Sequence, residues 1–275
     1  MNQTLERLIG QLIIAGLRGP NAPPDSPIAN FIKDYNLLED TLLVAASQNK
    51  KTSTTSNTNF TFADLIGDNP EFINVINTAK LVANTPSPVM LCGKTGTGKE
   101  LFAKSIHNLS DRNKKKFTPV NCAAIPENLL EGILFGTSKG AFTGAQFSTK
   151  GYLHAANNGM LFMDEVGDVD LNIQVKLLRV LEFGVYTPVG ETEGRKSNFR
   201  LISATNKDPA DLIRNNAMRL DFFYRIGVIP IVIPPLRERR EDIPLLADHF
   251  LKKLNPGKTR KKLSGLQLDK LISHN

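Results

Sequence analysis

A short apolar run followed by a glycine-rich loop constrains the fold of this chain more than any other stretch. Residues 89–92 read VMLC, and the next eight read GKTGTGKE, which matches the pattern GxxxxGK. Phe102, Ile106 and Leu109 then recur at helical spacing. A strand, a glycine loop and a helix in this order predict a phosphate site, because the loop N–H groups and the positive end of the helix converge on an anion.

Within this loop, Lys99 is expected to supply a point charge to the β- and γ-phosphates of a nucleotide. Glu100 stands where Ser or Thr usually offers a hydroxyl to magnesium. The alternative is a Gly/Thr-rich turn that joins a strand to a helix and binds nothing. The predicted phosphate-binding residues are Gly93, Lys94, Thr95, Gly96, Thr97, Gly98, Lys99 and Glu100.

Polar residues follow two more apolar runs that we predict as strands. Asp164 and Glu165 end the run MLFMDE; Asp164 can hold Mg²⁺, directly or through water, and Glu165 can orient or deprotonate an attacking water. Thr205 and Asn206 end the run FRLISATN, where the amide can hold a γ-phosphate or the water. All four are expected at one sheet edge, where ligands of α/β sheets bind. The alternatives are a helix-capping acid pair and a turn-forming Asn.

The segment GAFTGA places small residues on both sides of an aromatic residue. One interpretation is a mobile contact loop whose tip meets a partner, since a large exposed apolar side chain marks such sites. The other is a loose loop whose aromatic ring folds back under cover. The residues concerned are Gly140, Ala141, Phe142, Thr143, Gly144 and Ala145.

Length and composition fit one large α/β domain with additional segments. The chain has 275 residues, 41% of them hydrophobic, and a net charge of +7 that is partly concentrated in basic runs at 112–116 and 258–262. Such runs are typical of solvated loops. Cys92 and Cys122 are expected as buried thiols rather than a disulfide, which favours a reducing cytoplasm. No apolar run reaches the length of a membrane span, so no membrane partner is expected.

The sequence divides into four regions. Residues 1–46 are predicted to be a short helical N-terminal region, either a packing helix, a dimerisation helix or the remnant of a sensory domain. Residues 47–59 lack apolar side chains apart from threonine methyls and predict a flexible linker. Residues 60–240 are expected to form the main α/β domain, and residues 241–275 the beginning of a further helical region.

Taken together and in order, these motifs resemble a known family. GKTGTGKE, NCAAIPENLLEGILFG, KGAFTGA, MLFMDEVG, QVKLLRVL, SATN, FFYRI and PPLRERREDIPLLADHF are similar to the sigma-54 interaction domain, the AAA+ ATPase module of NtrC-type bacterial enhancer-binding transcriptional activators. The segment EGILFGTSKGAFTGA further resembles the RocR-like regulators of arginine utilisation. The resemblance runs from about residue 60 to the end. It implies an AAA+ P-loop NTPase fold, with a parallel sheet sandwiched by helices and the start of a C-terminal helical lid.

The resemblance also implies roles for individual residues. The loop residues would bind ATP, with Ile66 and Gly67 near the adenine, while Asp164 and Glu165 would be the magnesium and catalytic acids. Asn121 would hold Glu165 in an inactive position.

Four further residues take a role from the same resemblance. Thr205 and Asn206 would act as the first sensor of the nucleotide. Arg219 and Arg225 would act as arginine fingers on the nucleotide of a neighbouring subunit. Without the resemblance, the same arginines are surface residues that pair with Asp221 or a neighbour.

The implied function is ATP hydrolysis in a ring, usually hexameric, that remodels the closed complex of sigma-54 RNA polymerase through the GAFTGA loop. The sequence does not contain the WPGN-type segment, the second-sensor arginine or the helix-turn-helix that usually follow. We therefore expect a fragment of a longer activator or a truncated reading frame, whose DNA contact would depend on the missing helix-turn-helix. The alternative is a non-enzymatic fragment that binds ATP or full-length relatives without productive turnover.

Overall fold

The structure of the protein is a computed structural model that describes residues 60–141, 147–254 and 263–273. The helical region expected at 1–46 and the linker expected at 47–59 lie outside the described residues. The described residues divide into two compact units, the first ending at Pro234 and the second beginning at Pro235.

The first unit is built on a parallel sheet. Its strands are β1 (Val89–Cys92), β2 (Phe117–Asn121), β5 (Met160–Asp164), β8 (Arg200–Thr205) and β9 (Ile229–Val232). They lie in the order β2-β5-β8-β1-β9, and every neighbouring pair is parallel. The strand predicted before the glycine loop and the strands predicted before the acid pair and before Asn206 are therefore confirmed.

Helices cover both faces of this sheet. Met90 packs in one apolar cluster and its neighbours Val89 and Leu91 pack in another, as the alternation of side chains along a strand requires. The helices are α1 (Pro70–Val82), α2 (Lys99–Leu109), α3 (Glu127–Phe135), α4 (Tyr152–Ala155), α5 (Leu171–Phe183), α6 (Pro209–Arg214) and α7 (Leu220–Ile226). Strands buried on both faces read as continuous apolar runs, which explains why they were visible in the sequence.

Local sequence signals explain where several helices begin and end. Asn69 caps α1 by accepting a hydrogen bond from the N–H of Phe72, with Pro70 in the first turn. Asp170 caps α5 in the same way, and Gly184 ends α5 in the left-handed conformation. Short 3₁₀ turns lie at Phe62–Asp64, Cys122–Ala124 and Val166–Asp168.

Two small antiparallel pairs stand beside the main sheet and have no counterpart among the sequence predictions. Strands β3 (Gly136–Thr137) and β4 (Thr149–Lys150) pair across the segment that contains GAFTGA. Strands β6 (Val185–Tyr186) and β7 (Arg195–Lys196) form a second pair after α5. Two-residue strands have no measurable hydrophobic period, so the pattern of apolar residues cannot reveal them.

The second unit contains α8 (Ile243–Leu254) and α9 (Gly265–Ile272), preceded by 3₁₀ turns at Leu236–Glu238 and Arg240–Asp242. Its own core consists of Leu236, Ile243, Leu251 and Leu271. Ser264 caps α9 through a capping box with Gln267. Both helices lie in residues 241–275, where the sequence predicts a further helical region.

Within the described ranges, no helix is long and apolar enough to cross a membrane. Cys92 and Cys122 are free thiols, as expected; Cys122 is buried and Cys92 is half-buried.

Candidate functional site

The glycine-rich loop lies between β1 and α2 and requires small residues for its turn. Gly98 adopts φ 96° directly before α2, and the N–H of Thr97 donates to the carbonyl of Lys94 to close the turn. A Cβ on Gly93 would lie 2.8 Å from the hydroxyl oxygen of Thr97 and 3.0 Å from the carbonyl oxygen of Ile233. The first N–H groups of α2 have no partner within the helix, so they can receive an anion.

Lys99 lies inside this turn. Its side chain is 7% exposed, and its Nζ donates a hydrogen bond of 2.9 Å to the carbonyl of Gly93. The same nitrogen lies 3.6 Å from a carboxylate oxygen of Glu165. The structure therefore brings the lysine of the loop and the second acid of the β5 run into one cleft.

Glu165 has an unusual backbone conformation. It adopts φ 51° and ψ 49°, a left-handed conformation that non-glycine residues rarely adopt and that costs free energy unless the surrounding contacts hold it. Its carboxylate accepts a hydrogen bond of 2.9 Å from the backbone N–H of Asn206. The side-chain amide of Asn206 in turn donates to the hydroxyl of Thr95 at 3.2 Å, so the exit of β8 contacts both the acid and the loop.

Asp164 lies next to Glu165 at the end of β5. Burial raises the pKa of the Asp164 carboxyl, and the charge of Glu165 raises it further. A divalent cation would offset this repulsion, and one or two carboxylates with phosphate oxygens are the usual ligands of Mg²⁺. The donor set therefore fits magnesium, although the described residues contain no cluster of three or more candidate metal-ligating side chains.

Asn121 and Thr205 lie outside this set of contacts. The amide oxygen of Asn121 accepts from the N–H of Ala124 and caps a 3₁₀ turn, so the structure does not bring Asn121 into a hydrogen bond with Glu165. The hydroxyl of Thr205 is fully buried and accepts from the N–H of Lys207. Asn206, rather than Thr205, reaches the cleft.

Among the remaining predicted nucleotide contacts, Glu100 is exposed and forms an ion pair of 2.7 Å with Lys104, one helical turn away. Lys94 is exposed on the loop. Ile66 and Gly67 are half-buried between the first 3₁₀ turn and α1, and their contact with an adenine stays a prediction.

Arg219 and Arg225 each form their hydrogen bonds with residues of their own chain. The guanidinium of Arg219 forms a two-point salt bridge with Asp221, at 3.0 and 2.8 Å. Arg225 donates to the carbonyl of Leu181 near the end of α5. Neither arginine has a hydrogen bond or ion pair with Lys99, Asp164 or Glu165 of its own chain.

The base of the GAFTGA segment is described as far as Ala141, and Phe142, Thr143, Gly144 and Ala145 lie outside the described residues. The pairing of β3 with β4 brings the two ends of the segment together, and the N–H of Ser138 donates to the carbonyl of Val189 at 2.9 Å. A Cβ on Gly190 would lie 2.7 Å from that of Ala141. The base of the loop therefore packs closely on the segment between β6 and β7.

Comparison with known proteins identifies the family. The family model of the sigma-54 interaction domain matches residues 65–232. This chain belongs to the sigma-54 interaction domain family. Its sigma-54 interaction domain has the fold of an AAA+ P-loop NTPase, so the fold class and the family expected from the motifs are both confirmed.

Several members of this family resemble the chain closely. The transcriptional activator RocR of Bacillus subtilis is 47% identical over 223 residues, which are 81% of this chain and 47% of that protein. A Nif-specific regulatory protein of Azorhizobium caulinodans is 48% identical over 191 residues, 70% of this chain and 31% of that protein. The chain thus spans about half or less of the curated relatives that it matches.

A solved structure shows the same fold. The crystal structure of NtrX from Brucella abortus in complex with ATP has a TM-score of 0.69 and 31% sequence identity, and the match covers 92% of this chain and 56% of that one.

Proposed function

We propose that this sigma-54 interaction domain hydrolyses ATP and uses the reaction to remodel sigma-54 RNA polymerase through its GAFTGA loop. The observation that best supports the proposal is the connected cleft of Lys99, Glu165, Asn206 and Thr95, which lies at the ends of three adjacent parallel strands. Ligands of open α/β sheets bind at this edge. The ATP complex of NtrX supports the choice of nucleotide.

In this proposal the phosphate loop and Lys99 hold the triphosphate, and Glu165 accepts a proton from the water that attacks the γ-phosphorus. Asp164 would hold Mg²⁺, which would supply positive charge to offset that of the phosphate oxygens. Glu165 must exchange the N–H of Asn206 for the water, so the bond between these residues describes a resting arrangement. Asn206, which contacts both the acid and the loop, is the residue that we assign to the sensing of the γ-phosphate.

The role of Asn121 remains part of the proposal. It ends β2, in register with Asp164 on β5, and this places its backbone next to the acid pair. A change of its side-chain rotamer would release the N–H of Ala124 and free its amide for Glu165. Thr205 has a different place: its buried hydroxyl supports the turn that carries Asn206.

Arg219 and Arg225 are proposed to act on the nucleotide of a neighbouring subunit in a ring, which we expect to be hexameric. Neither contacts the cleft of its own chain, and an arginine supplied by a neighbour accelerates phosphoryl transfer by a factor of roughly 10³ to 10⁵. Arg219 would first have to leave the exposed salt bridge with Asp221, and exposed pairs contribute little stability.

Sigma-54 is the proposed partner of the loop that contains Phe142 and Thr143. Contact with DNA would require a helix-turn-helix, as the resemblance implies, and the proposed location is the cytoplasm. The pairing of strands β3 and β4 holds the two ends of the segment that contains this loop together.

The ATPase activity can be tested on the purified chain with Mg²⁺ over a wide range of protein concentration. We expect turnover per subunit to rise steeply with concentration, because each cleft lacks an arginine until a neighbour supplies one. Turnover per subunit that is independent of concentration would contradict fingers in trans. Tight binding of ATP without turnover at any concentration would instead favour the non-enzymatic alternative.

The partner can be tested by co-sedimentation of the chain with sigma-54 in the presence of a transition-state analogue of ATP. We expect sigma-54 to sediment with the chain only when the analogue is present. Lys99→Ala, which removes the charge that holds the phosphates, provides the matched control. Binding that does not depend on the analogue would contradict a nucleotide-driven contact.

A further inference from the structure

A buried glutamine connects α5 to the backbone of Arg219. Gln174 is 0% exposed on α5. Its side-chain amide donates to the carbonyls of Val169 at 2.8 Å and of Ala217 at 2.9 Å, and its oxygen accepts from the backbone N–H of Arg219 at 2.9 Å. Burying an amide without partners is costly, but here three hydrogen bonds compensate it.

These partners leave only one orientation for the amide. A backbone N–H can only donate, so the atom that faces Arg219 must be the oxygen of Gln174. The two carbonyls can only accept, so the atom that faces them must be the nitrogen. The hydrogen-bonding pattern is therefore specific for glutamine, and no other side chain of similar length offers one acceptor and two donors in this arrangement.

The contacts of Gln174 hold the segment that presents Arg219. Ala217 and Met218 both donate to the carbonyl of Leu212, which forms a tight turn after α6. Arg219 is the residue immediately before α7, and its side chain remains about half exposed while its N–H is held by Gln174. Val169, the other anchor of the amide, directly follows the 3₁₀ turn that begins after Glu165.

We propose that Gln174 is a positioning residue that fixes the backbone of Arg219, so that the guanidinium reaches the nucleotide of the neighbouring subunit. This inference rests on the proposed function, since Arg219 has a catalytic role only if the chain assembles and hydrolyses ATP. Gln174 itself touches no nucleotide. Its effect is on the site of the neighbour and not on the phosphate loop of its own chain.

Gln174→Met tests the inference because methionine has a similar volume and lacks the polar atoms that make all three hydrogen bonds. We expect ATP turnover to fall on the order of 10- to 100-fold, since small displacements of a catalytic group have effects of this size. Binding of a fluorescent ATP analogue to dilute, unassembled chain should remain unchanged. Thermal unfolding monitored by circular dichroism establishes that the variant is folded.

Subunit mixing separates a misplaced finger from a damaged site. Gln174→Met keeps its phosphate loop, whereas Lys99→Ala loses its own site but keeps Gln174 and Arg219. In an equal mixture about a quarter of the ring interfaces pair an intact loop with an intact finger. The mixture should therefore exceed the summed turnover of the two variants. The matched control is a mixture of Arg219→Ala with Lys99→Ala, which should recover to a similar extent.

Each outcome of the mixing experiment is decisive. Suppose that turnover recovers when Lys99→Ala is mixed with Arg219→Ala but not when it is mixed with Gln174→Met. This result would overturn the positioning role of Gln174 and leave the proposed function standing. Failure of both mixtures with an active wild-type chain would overturn fingers in trans and the inference with them, while ATP hydrolysis would stand. An inactive wild-type chain would overturn the proposed function itself. If Gln174→Met does not fold, Gln174→Asn is used, because it keeps an uncharged amide with an acceptor and two donors on a side chain one methylene shorter. We expect Gln174→Asn to lose less turnover than Gln174→Met and to be restored by the same partner, and absence of that recovery would overturn the inference.

Discussion

The carboxylate of Glu165 accepts a hydrogen bond of 2.9 Å from the backbone N–H of Asn206, which joins the ends of β5 and β8. Glu165 also lies 3.6 Å from the ammonium of Lys99, and the side chain of Asn206 donates to Thr95. Four polar residues from three segments of the chain are thus connected around one cleft. The left-handed backbone of Glu165 is consistent with a residue held in place for function.

Glu165→Gln should bind ATP with nearly unchanged affinity and hydrolyse it roughly 10²- to 10⁴-fold more slowly, because an amide cannot accept the proton of the water. Phosphate release and analogue binding measure the two effects separately. Glu71→Gln, an exposed acid in the first turn of α1, is the matched control and should retain activity. Normal hydrolysis by Glu165→Gln would remove this residue from the mechanism.

Asp164→Asn should stabilise the folded protein at neutral pH while it reduces magnesium-dependent hydrolysis. In the folded state, burial raises the pKa of the Asp164 carboxyl above its ordinary value of 3.8. The unfolded chain therefore releases this proton at a lower pH than the folded chain. Stability therefore falls as the pH rises from 3.8 through the raised pKa, and asparagine avoids that loss. At pH 7 the thermal unfolding midpoint of Asp164→Asn should be slightly higher than that of the wild type. This difference should disappear below the ordinary pKa of 3.8. A destabilised variant at pH 7 would contradict this account.

Cys122 should resist alkylation in the folded protein. Burial raises the pKa of its thiol to about 12, and the nearby charges of Asp164, Asp168 and Glu165 contribute to the shift. The reactive thiolate is therefore negligible at pH 8, where an ordinary cysteine is partly ionised. Iodoacetamide labelling followed by mass spectrometry should modify Cys122 only after denaturation. Rapid labelling of the native chain at this position would show that the residue is accessible.

Arg200→Met should destabilise the protein by about 2–4 kcal/mol, because buried carbonyls lose a charged donor. Arg200 is 4% exposed, and its guanidinium donates to the carbonyls of Val82, Ala83 and Ser87 around the end of α1. Urea unfolding measures the loss. Arg214→Met is the matched control, since among the described residues Arg214 pairs with the exposed carboxylate of Asp211 and should contribute under about 1 kcal/mol. Equal effects of the two substitutions would contradict the structural role of Arg200.

Thr143→Ala should leave ATP hydrolysis largely intact and abolish co-sedimentation with sigma-54. The pairing of strands β3 and β4 does not involve Thr143, so we expect its substitution to leave the cleft unaltered. Thermal unfolding provides the control. Unfolding of the protein by this substitution would mean that the loop belongs to the core, and the partner assignment would fail.

Much of the site was predictable because its residues follow buried strands directly. The apolar runs before Gly93, before Asp164 and before Asn206 each predicted a strand, and parallel strands necessarily deliver the residues after them to one edge. The family could be recognised for the same reason: its motifs are contiguous in the sequence.

Interactions between distant segments were not predictable in this way. Nothing in the local sequence shows that Gln174 bonds to Arg219, which is 45 positions away, although a polar residue beside Ile173 and Leu177 on a buried helical face is a signal that it has partners. The contact of Asn121 with Glu165 that the resemblance implies stays a prediction, and in this structure the carboxylate of Glu165 accepts from the N–H of Asn206. A backbone donor has no signature in the sequence.

The amino-acid sequence by itself determined the strand–loop–helix unit around Lys99, the apolar runs of the sheet and the family, because each depends on side chains that are adjacent in the chain. The tertiary structure alone decided which groups meet: Glu165 with Asn206, Gln174 with Arg219, and Ser138 with Val189. The physical reason is that such contacts depend on the order of strands in the sheet and on backbone N–H and carbonyl groups, which every residue carries and which local pattern therefore cannot distinguish.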